Sequence, residues 1–418
     1  MTPTMVKRDA SCDDDYDPNS LSCEAALAHI LEHVSPVTGY ERVHLRAALG
    51  RVLGESLHSP FAVPAHTNSA MDGYALSADS LPTSGTGHVR VIGSAFAGRP
   101  FNGEVGAGKA VRIMTGAAMP PGTDTVVMQE HVAVEGQRVA LDGQHKRWQN
   151  VRQAGEDLKP GQQVFERGRR LLPPDLGLIA SLGIGEVTVQ RRVRVAYFST
   201  GDELRSIGEQ LGPGEIFDSN RYTLYAMLKR SEVEIIDMGV VRDKREAVEA
   251  ALRDASQLAD VVITSGGVSV GEADYIKEVL ASIGEVRFWK VAMKPGRPLA
   301  FGALGPARFF GLPGNPVSVM VTFYQFVQPA LFKMAGTTPT PPLLIKGRST
   351  GVLKKRPGRM EFQRGILSRD ASGQLCVTAT GDQGSGILNS MASGDCFIIL
   401  GVDTARVEAG TLVDVQPF

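Results

Sequence analysis

Residues 259–284 read "ADVVITSGGVSVGEADYIKEVLASIG". The apolar run Ala259–Ile263 is the length of a buried strand, the glycines after it demand a turn, and the apolar spacing from Ile276 onward is helical. A phosphate-binding P-loop would place Gly-Lys-Ser/Thr after Gly271, whereas Glu272 and Ala273 follow here. Working outward, the same grammar recurs over 192–335. "RVRVAYFS" (192–199), "VEIIDMGVV" (233–241), "DVVITS" (260–265), "EVRFWKVAM" (285–293) and "PARFFGLPG" (306–314) read as strands. "NRYTLYAMLKRS" (220–231), "DKREAVEAALRDASQLA" (243–259), "ADYIKEVLASIG" (273–284) and a long closing segment, 315–336, read as helices. Alternation of this kind predicts a mostly parallel sheet covered by helices on both faces, with ligands at the carboxyl ends of its strands.

The flanks differ. Apolar residues at helical spacing from Leu21 to Val34 predict a helix opened at Ser22. "ERVHLRAALGRVLGESLHSP" (41–60) reads as strand, turn and strand, and 73–140 carries short β runs broken by Gly and Pro. Residues 148–175 read as a connector returning to the first segment, and beyond the Pro/Thr linker 337–342 the chain is again short β runs. The fold class expected is therefore multidomain α/β and β. A central α/β domain with a mostly parallel sheet (191–336) is flanked by β-rich domains and followed by a C-terminal β-barrel (337–418). A discontinuous first domain (21–60 plus 145–190), a small β-rich domain (61–144) and a flexible N-terminus (1–20) complete the division.

Composition narrows the function. At 418 residues about three domains are expected. A net charge of -1 argues against a strongly basic nucleic-acid binder. Cys12, Cys23, Cys376 and Cys396 form no C-x-x-C pair, so neither a disulfide framework nor a zinc site is expected, which fits a reducing cytoplasm. The first residues carry no targeting pattern, and no apolar stretch reaches the length of a membrane span.

Four polar loops follow strands of the α/β segment: "STGDEL" (199–204), "IFDSN" (216–220), the turn at 264–275 and "GLPGNPVS" (311–318). Topology should gather them at one edge. Gly201, Gly266, Gly267 and Gly314 allow backbone to approach a ligand, and helix starts with turn amides favour anions. Carboxylates beside such a turn are explained by a divalent metal such as Mg²⁺, which takes one or two carboxylates plus phosphate oxygens. By local chemistry alone Asp202, Asp218 and Asp274 serve equally as helix caps, as does Asp243. "FWKVAMKPGRP" (288–298) sets Lys290, Lys294 and Arg297 in a loop stiffened by Pro295 and Pro298, as an oxyanion pocket requires. "NSAMDGYAL" (68–76) reads locally as a turn at Asp72-Gly73.

Taken in order, "NSAMDGYA", "RIMTGAAMPPGTDTVVMQE", "GEDL", "FSTGDEL", "SGGVSVGEADY", "KPGRP", "GLPGNPVSVMVTFYQ" and "PGRMEFQRG" resemble the molybdopterin molybdenumtransferase family, MoeA and the E domain of gephyrin, from about Leu21 to Phe418. The resemblance implies a central domain like MogA that binds molybdopterin. It also implies a transferase that inserts molybdenum from molybdate into adenylylated molybdopterin with release of AMP and a need for Mg²⁺. The implied form is a cytoplasmic homodimer, with the upstream adenylyltransferase and molybdoenzyme chaperones as possible partners. Matching motif positions put Glu203 and Asp274 at the pterin–nucleotide site, with Asp274 as metal partner, and Thr200, Asp218, Asn220, Gly266, Gly267 and Asn315 lining it. They put Ser269, Lys290, Lys294, Arg297, Pro298, Arg364 and Ser385 around molybdate, and Asp72, Thr115 and Asp157 at sensitive positions across a dimer cleft. Two departures are visible: Thr67 stands where Asp is common and Arg297 where Lys is common. Competing expectations are an adenylyltransferase-like enzyme on the same α/β module and a non-enzymatic dimeric scaffold.

Overall fold

The computed structural model describes residues 17–267, 275–337 and 340–418. Ser269, Glu272 and Asp274 therefore lie outside the described residues. The chain divides into two compact units, one using residues up to Arg42, Gly50–Val52 and Thr188 onward, the other Val43–Leu49 and Leu53–Val187.

The first unit opens on helix α1 (Cys23–His33), where Ser22 Oγ accepts from the Ala25 N–H at 3.0 Å, the cap expected from the sequence. Its central sheet holds β1 (Arg194–Thr200), β2 (Glu234–Val241), β3 (Val261–Ser265), β4 (Glu285–Lys290), β5 (Pro298–Leu304) and β6 (Ala307–Leu312) in the order β2-β1-β3-β6-β5-β4. The β2-β1-β3-β6 pairings are parallel, and β5 and β4 add antiparallel pairings at one edge. Helices α2 (Ser219–Arg230), α3 (Arg245–Leu258) and α4 (Tyr275–Ile283) connect the strands. Alternation along each strand divides two cores. Val195, Tyr197, Val261 and Ile263 pack with Ile30 of α1 and Leu224 and Leu228 of α2, while Ala196, Phe198 and Val262 pack with Val248 and Leu252 of α3 and Val279 and Leu280 of α4. Burial on both faces explains the apolar run Val261–Ile263 that opens β3.

Two expectations need correction. The stretch "PLAFGAL" (298–304), given no element in the sequence reading beyond the loop that ends at Pro298, is the strand β5. The long closing helix is instead α5 (Pro316–Thr322), a five-residue π turn (Phe323–Val327) and α6 (Gln328–Met334). Pro329 has no N–H to donate and its ring crowds the carbonyl one turn back; the wider turn accommodates both.

Beyond the linker, β7 (Ile345–Ser349), β8 (Met360–Arg369), β9 (Leu375–Ala379), β10 (Cys396–Leu400) and β11 (Leu412–Pro417) run in the order β8-β9-β7-β11-β10, and β10 pairs back onto β8. That closes a five-stranded barrel around Val377, Ile398, Val413 and Val415. Met293–Lys294 pairs with Met360 and Glu361 of β8, which ties the basic loop to the barrel.

The second unit is built on a six-stranded sheet, Thr125–Met128, Gly73–Leu76, Lys109–Ile113, Thr86–Ala95, Arg138–Asp142 and Ala133–Glu135 in spatial order. Residues 148–175, read as connector, contain the short strands Val151–Arg152 and Gln163–Phe165, and the helix Pro173–Ser181 follows. Pro at the first helical turn and the Leu172 N–H donated to Asp175 Oδ2 at 2.9 Å start that helix.

Candidate functional site

In the strand order β2-β1-β3 the chain leaves β1 to one side and returns past it to the other, so the crevice beyond β1 and β3 is a topological switch point. A cavity of about 900 Å³ opens there. It is lined by Thr200, Gly201 and Glu203 after β1, Asp218 and Asn220 at α2, Asp243 after β2, Gly266 and Gly267 after β3, and Asn315 after β6. All four loops read from the sequence meet at this cavity.

The glycine turn is sterically compelled. Gly266 and Gly267 have φ of +91° and +66°; a Cβ on the first would sit 2.6 Å from the Thr200 carbonyl oxygen and on the second 2.2 Å from Ile276 Cδ1. Asn220 Nδ2 donates to Ser265 Oγ at 2.8 Å and to the Gly314 carbonyl at 2.7 Å, which joins three loops through one amide. Asp218 caps α2, its Oδ1 accepting from the Arg221 N–H at 3.1 Å. The helix is held on the sheet by Arg221, whose Nε donates to Asp237 at 2.7 Å while the Tyr197 hydroxyl donates to the same carboxylate at 2.9 Å. Asp218 Oδ2 and Asn220 Oδ1 are buried and have no partner among the described residues. Buried polar atoms are ordinarily satisfied, so two such atoms on one cavity wall mark where a ligand donates.

Asp202 caps no helix; it stands in a turn, with the Asp243 N–H 3.4 Å from its Oδ1. Nor does Asp243 cap α3, whose N-cap is Lys244; Asp243 lines the cavity instead. Burial first, then the charges of Asp202 and Glu203, push its carboxyl above the ordinary value. Carboxylates gathered in this way favour a positive ion beside them.

A second cavity, of about 280 Å³, shares Asn315 and Pro298 with the first. Its other walls include Lys294, Arg297, Arg359, Ser318, Gln383 and Ser385. Two of its cations already meet carboxylates: Lys294 Nζ lies 3.4 Å from Glu361 and Arg297 Nη2 pairs with Asp17; Lys290, outside the cavity, stands 3.8 Å from Asp17. The Asn19 N–H, against some opposing burial, and then Arg297 hold the Asp17 carboxyl below its usual range. Arg297 Nε is buried without a partner among the described residues.

Arg364 reaches the second cavity indirectly. It is 1% exposed, and its guanidinium donates to Ser390 Oγ at 2.9 Å and to the Gly384 carbonyl at 3.0 Å. Burial draws its pKa down to about 10. It thus carries the 382–385 loop, whose Ser385 carbonyl also accepts the Val317 N–H at 3.1 Å. Lys290 and Arg364 do not line the cavity; Arg359, Gln383 and Ser318, which sequence reasoning missed, do. The available signal was the polar alternation of "RMEFQR", in which Arg359, Glu361 and Gln363 are separated by Met360 and Phe362.

In the second unit Asp72 and Thr115 meet. The Thr115 N–H and hydroxyl both donate to Asp72 Oδ1 at 2.7 Å and hold that carboxyl below its ordinary value. The Asp157 N–H donates to the Val63 carbonyl at 3.0 Å. Thr67 Oγ1 accepts from the Ala154 N–H at 3.3 Å.

Fold and site define a class: a multidomain protein with an acid-lined ligand cavity at an α/β switch point and a cation-lined pocket beside it. Residues 21–183 match the MoeA N-terminal region (domains I and II), 196–333 a molybdopterin-binding domain and 346–418 the MoeA C-terminal region (domain IV). The chain is 45% identical to a molybdopterin molybdenumtransferase of Haemophilus influenzae, over 95% of this chain and 98% of that one. It is 36% identical to one from Nostoc, over 88% and 87%. A crystal structure of the molybdopterin biosynthesis protein moeA from Pyrococcus horikoshii superposes with a TM-score of 0.83 at 28% identity, over 95% of this chain and 99% of that one. The chain belongs to the molybdopterin molybdenumtransferase family.

Proposed function

We propose that this chain is a transferase of molybdenum cofactor biosynthesis that inserts molybdenum into molybdopterin, and that it takes the adenylylated form with molybdate and releases AMP. One observation carries this reading: an acid-lined cavity at a glycine turn adjoins a smaller cation-lined pocket, with Asn315 and Pro298 common to both. The first suits a phosphate-bearing nucleotide and pterin, whose donors would satisfy Asp218 Oδ2 and Asn220 Oδ1. The second suits a tetrahedral dianion, held by Lys294, Arg297 and Arg359 and by the Ser385 hydroxyl.

The donor set also fits Mg²⁺. Glu203 and Asp243 line the cavity with the spare oxygen of Asp218, and a hard ion of this kind needs only one or two carboxylates beside phosphate oxygens. Bound there, the ion would neutralise phosphate charge and ease departure of AMP. Asp274 is the further ligand implied by its motif. The chain's own contribution is positioning: Gly266 and Gly267 let backbone close on the phosphates, Asn220 fixes three loops, and Lys294 orients the oxyanion.

The same proposal includes a homodimer in which Asp72, Thr115 and Asp157 of one protomer serve the cavity of the other. It includes the domain boundaries given above and action in the cytoplasm; no described helix is long and apolar enough to cross a membrane. Incubating the purified chain with Mg²⁺, molybdate and adenylylated molybdopterin tests it. AMP and active cofactor should appear together. Folded protein that releases no AMP overturns the proposal, and formation of adenylylated molybdopterin from ATP by this chain would favour the adenylyltransferase alternative.

A further inference from the structure

Away from both cavities, α1 reads "CEAALAHILEH" (23–33). Ala26 and Ile30 are buried in the core, and His29, Glu32 and His33, three and four positions apart, fall together on the outer face. One ligand atom from each of the three lies within 4.8 Å of the others, and this is the sole cluster of three or more potential metal ligands so placed among the described residues.

Several features prepare these side chains. His33 Nδ1 is 2.8 Å from the His29 carbonyl oxygen. A carbonyl only accepts, so that contact requires Nδ1–H and leaves the His33 Nε2 lone pair outward, which is how metal-bound imidazoles are commonly oriented. The His29 ring meets Trp289 edge-on at 5.1 Å and Phe301 at 6.4 Å, and it lies 4.1 Å from the His33 ring. Its rotamer is thereby fixed by β4 and β5. The cluster occupies the end of α1 where unpaired carbonyls favour positive charge. A cavity of about 410 Å³ abuts both histidines and leaves room for open coordination positions, with Arg287 and Arg308 on its wall to balance an anionic co-ligand.

We propose that His29, Glu32 and His33 form a binding site for a divalent transition-metal ion of the Zn²⁺, Ni²⁺ or Cu²⁺ class. Two imidazoles and a carboxylate match that class, whereas Mg²⁺ and Ca²⁺ prefer oxygen donors throughout. The site is separate from the molybdenum transfer reading and stands or falls without it.

The test uses the full chain and the metal alone. Calorimetric titration with Zn²⁺ should show one ion per chain with micromolar affinity. Electron paramagnetic resonance of the Cu²⁺ form should show two coordinated nitrogens. His33→Ala removes an exposed side chain, and it should weaken binding about tenfold or more and reduce the nitrogen count to one. Glu32→Gln should weaken binding while keeping both nitrogens. Binding no tighter than millimolar in the wild type overturns the proposal, as does undiminished binding in His33→Ala or in His29→Asn with His33→Ala.

Discussion

The two adjoining cavities of the first unit invert each other's chemistry. The larger presents Glu203, Asp218 and Asp243, and burial with neighbouring carboxylates raises the Asp243 pKa; the smaller presents Lys294, Arg297 and Arg359, and Lys294 and Arg297 meet carboxylates of the chain. On the function proposed above, the first would take a positive ion, and Asp17 and Glu361 would give way to an external oxyanion in the second. Neighbouring wells of opposite sign suit a reaction that brings a metal-bridged phosphate group against an inorganic anion.

Removing the central cation should produce the largest effect. Lys294→Ala should lower cofactor formation about 1000-fold. Because this leaves the 4%-exposed Glu361 carboxylate without its ammonium, the double variant with Glu361→Gln should show the same catalytic loss with better stability by thermal melting. Arg364→Met strips the 382–385 loop of its buried donor and should lower unfolding free energy by about 3 kcal/mol in urea titration.

Asp260 supplies a control away from both cavities. Its carboxylate accepts from Arg191 Nη1 and Nη2 and from the Arg194 N–H, each at 2.8 Å. Burial alone would raise its pKa, but these donors hold it below the ordinary value. A depressed carboxylate stabilises fully above its unfolded value of about 4 and loses that contribution as pH falls through the folded value. Asp260→Asn should therefore cost about 2 kcal/mol at neutral pH and progressively less below pH ~4, with AMP affinity unchanged.

Two smaller effects separate the cavities. Asn220→Ala should weaken AMP binding about tenfold in calorimetry and leave binding of molybdate alone nearly unchanged. Asp17→Asn should act in the opposite sense and tighten molybdate binding about threefold, since a partly exposed competitor is removed. Weaker molybdate binding in Asp17→Asn would instead make Asp17 an organiser of the pocket.

The sequence displayed the acid-lined cavity more clearly than the basic one, for a physical reason. Strand periodicity and glycine turns are local, so the sequence alone places the loops after β1, β3 and β6 at one sheet edge. Asn220, Gly266 and Asn315 duly line one wall. The basic pocket depends on distant partners. Lys294 joins β8 through a two-residue pairing, Arg359 and Ser385 come from the barrel segment, and Asp17 stands 280 positions before Arg297. None of those distances is periodic. The same blindness hid β5: its small residues Ala300, Gly302 and Ala303 lack the β-branched character that marked β3. Asp243 was ambiguous because a carboxylate before a helix caps it far more often than it lines a cavity; only the position of Lys244 as N-cap resolved this.

The pairing of opposed wells is tested most directly by a crystal soaked with AMP and molybdate, using the anomalous signal of molybdenum. The account predicts the AMP phosphate against the Gly266–Gly267 turn and the molybdenum peak among Lys294, Arg297 and Ser385, with Asp17 withdrawn from Arg297. A molybdenum peak elsewhere, or AMP bound away from the glycine turn, would contradict it.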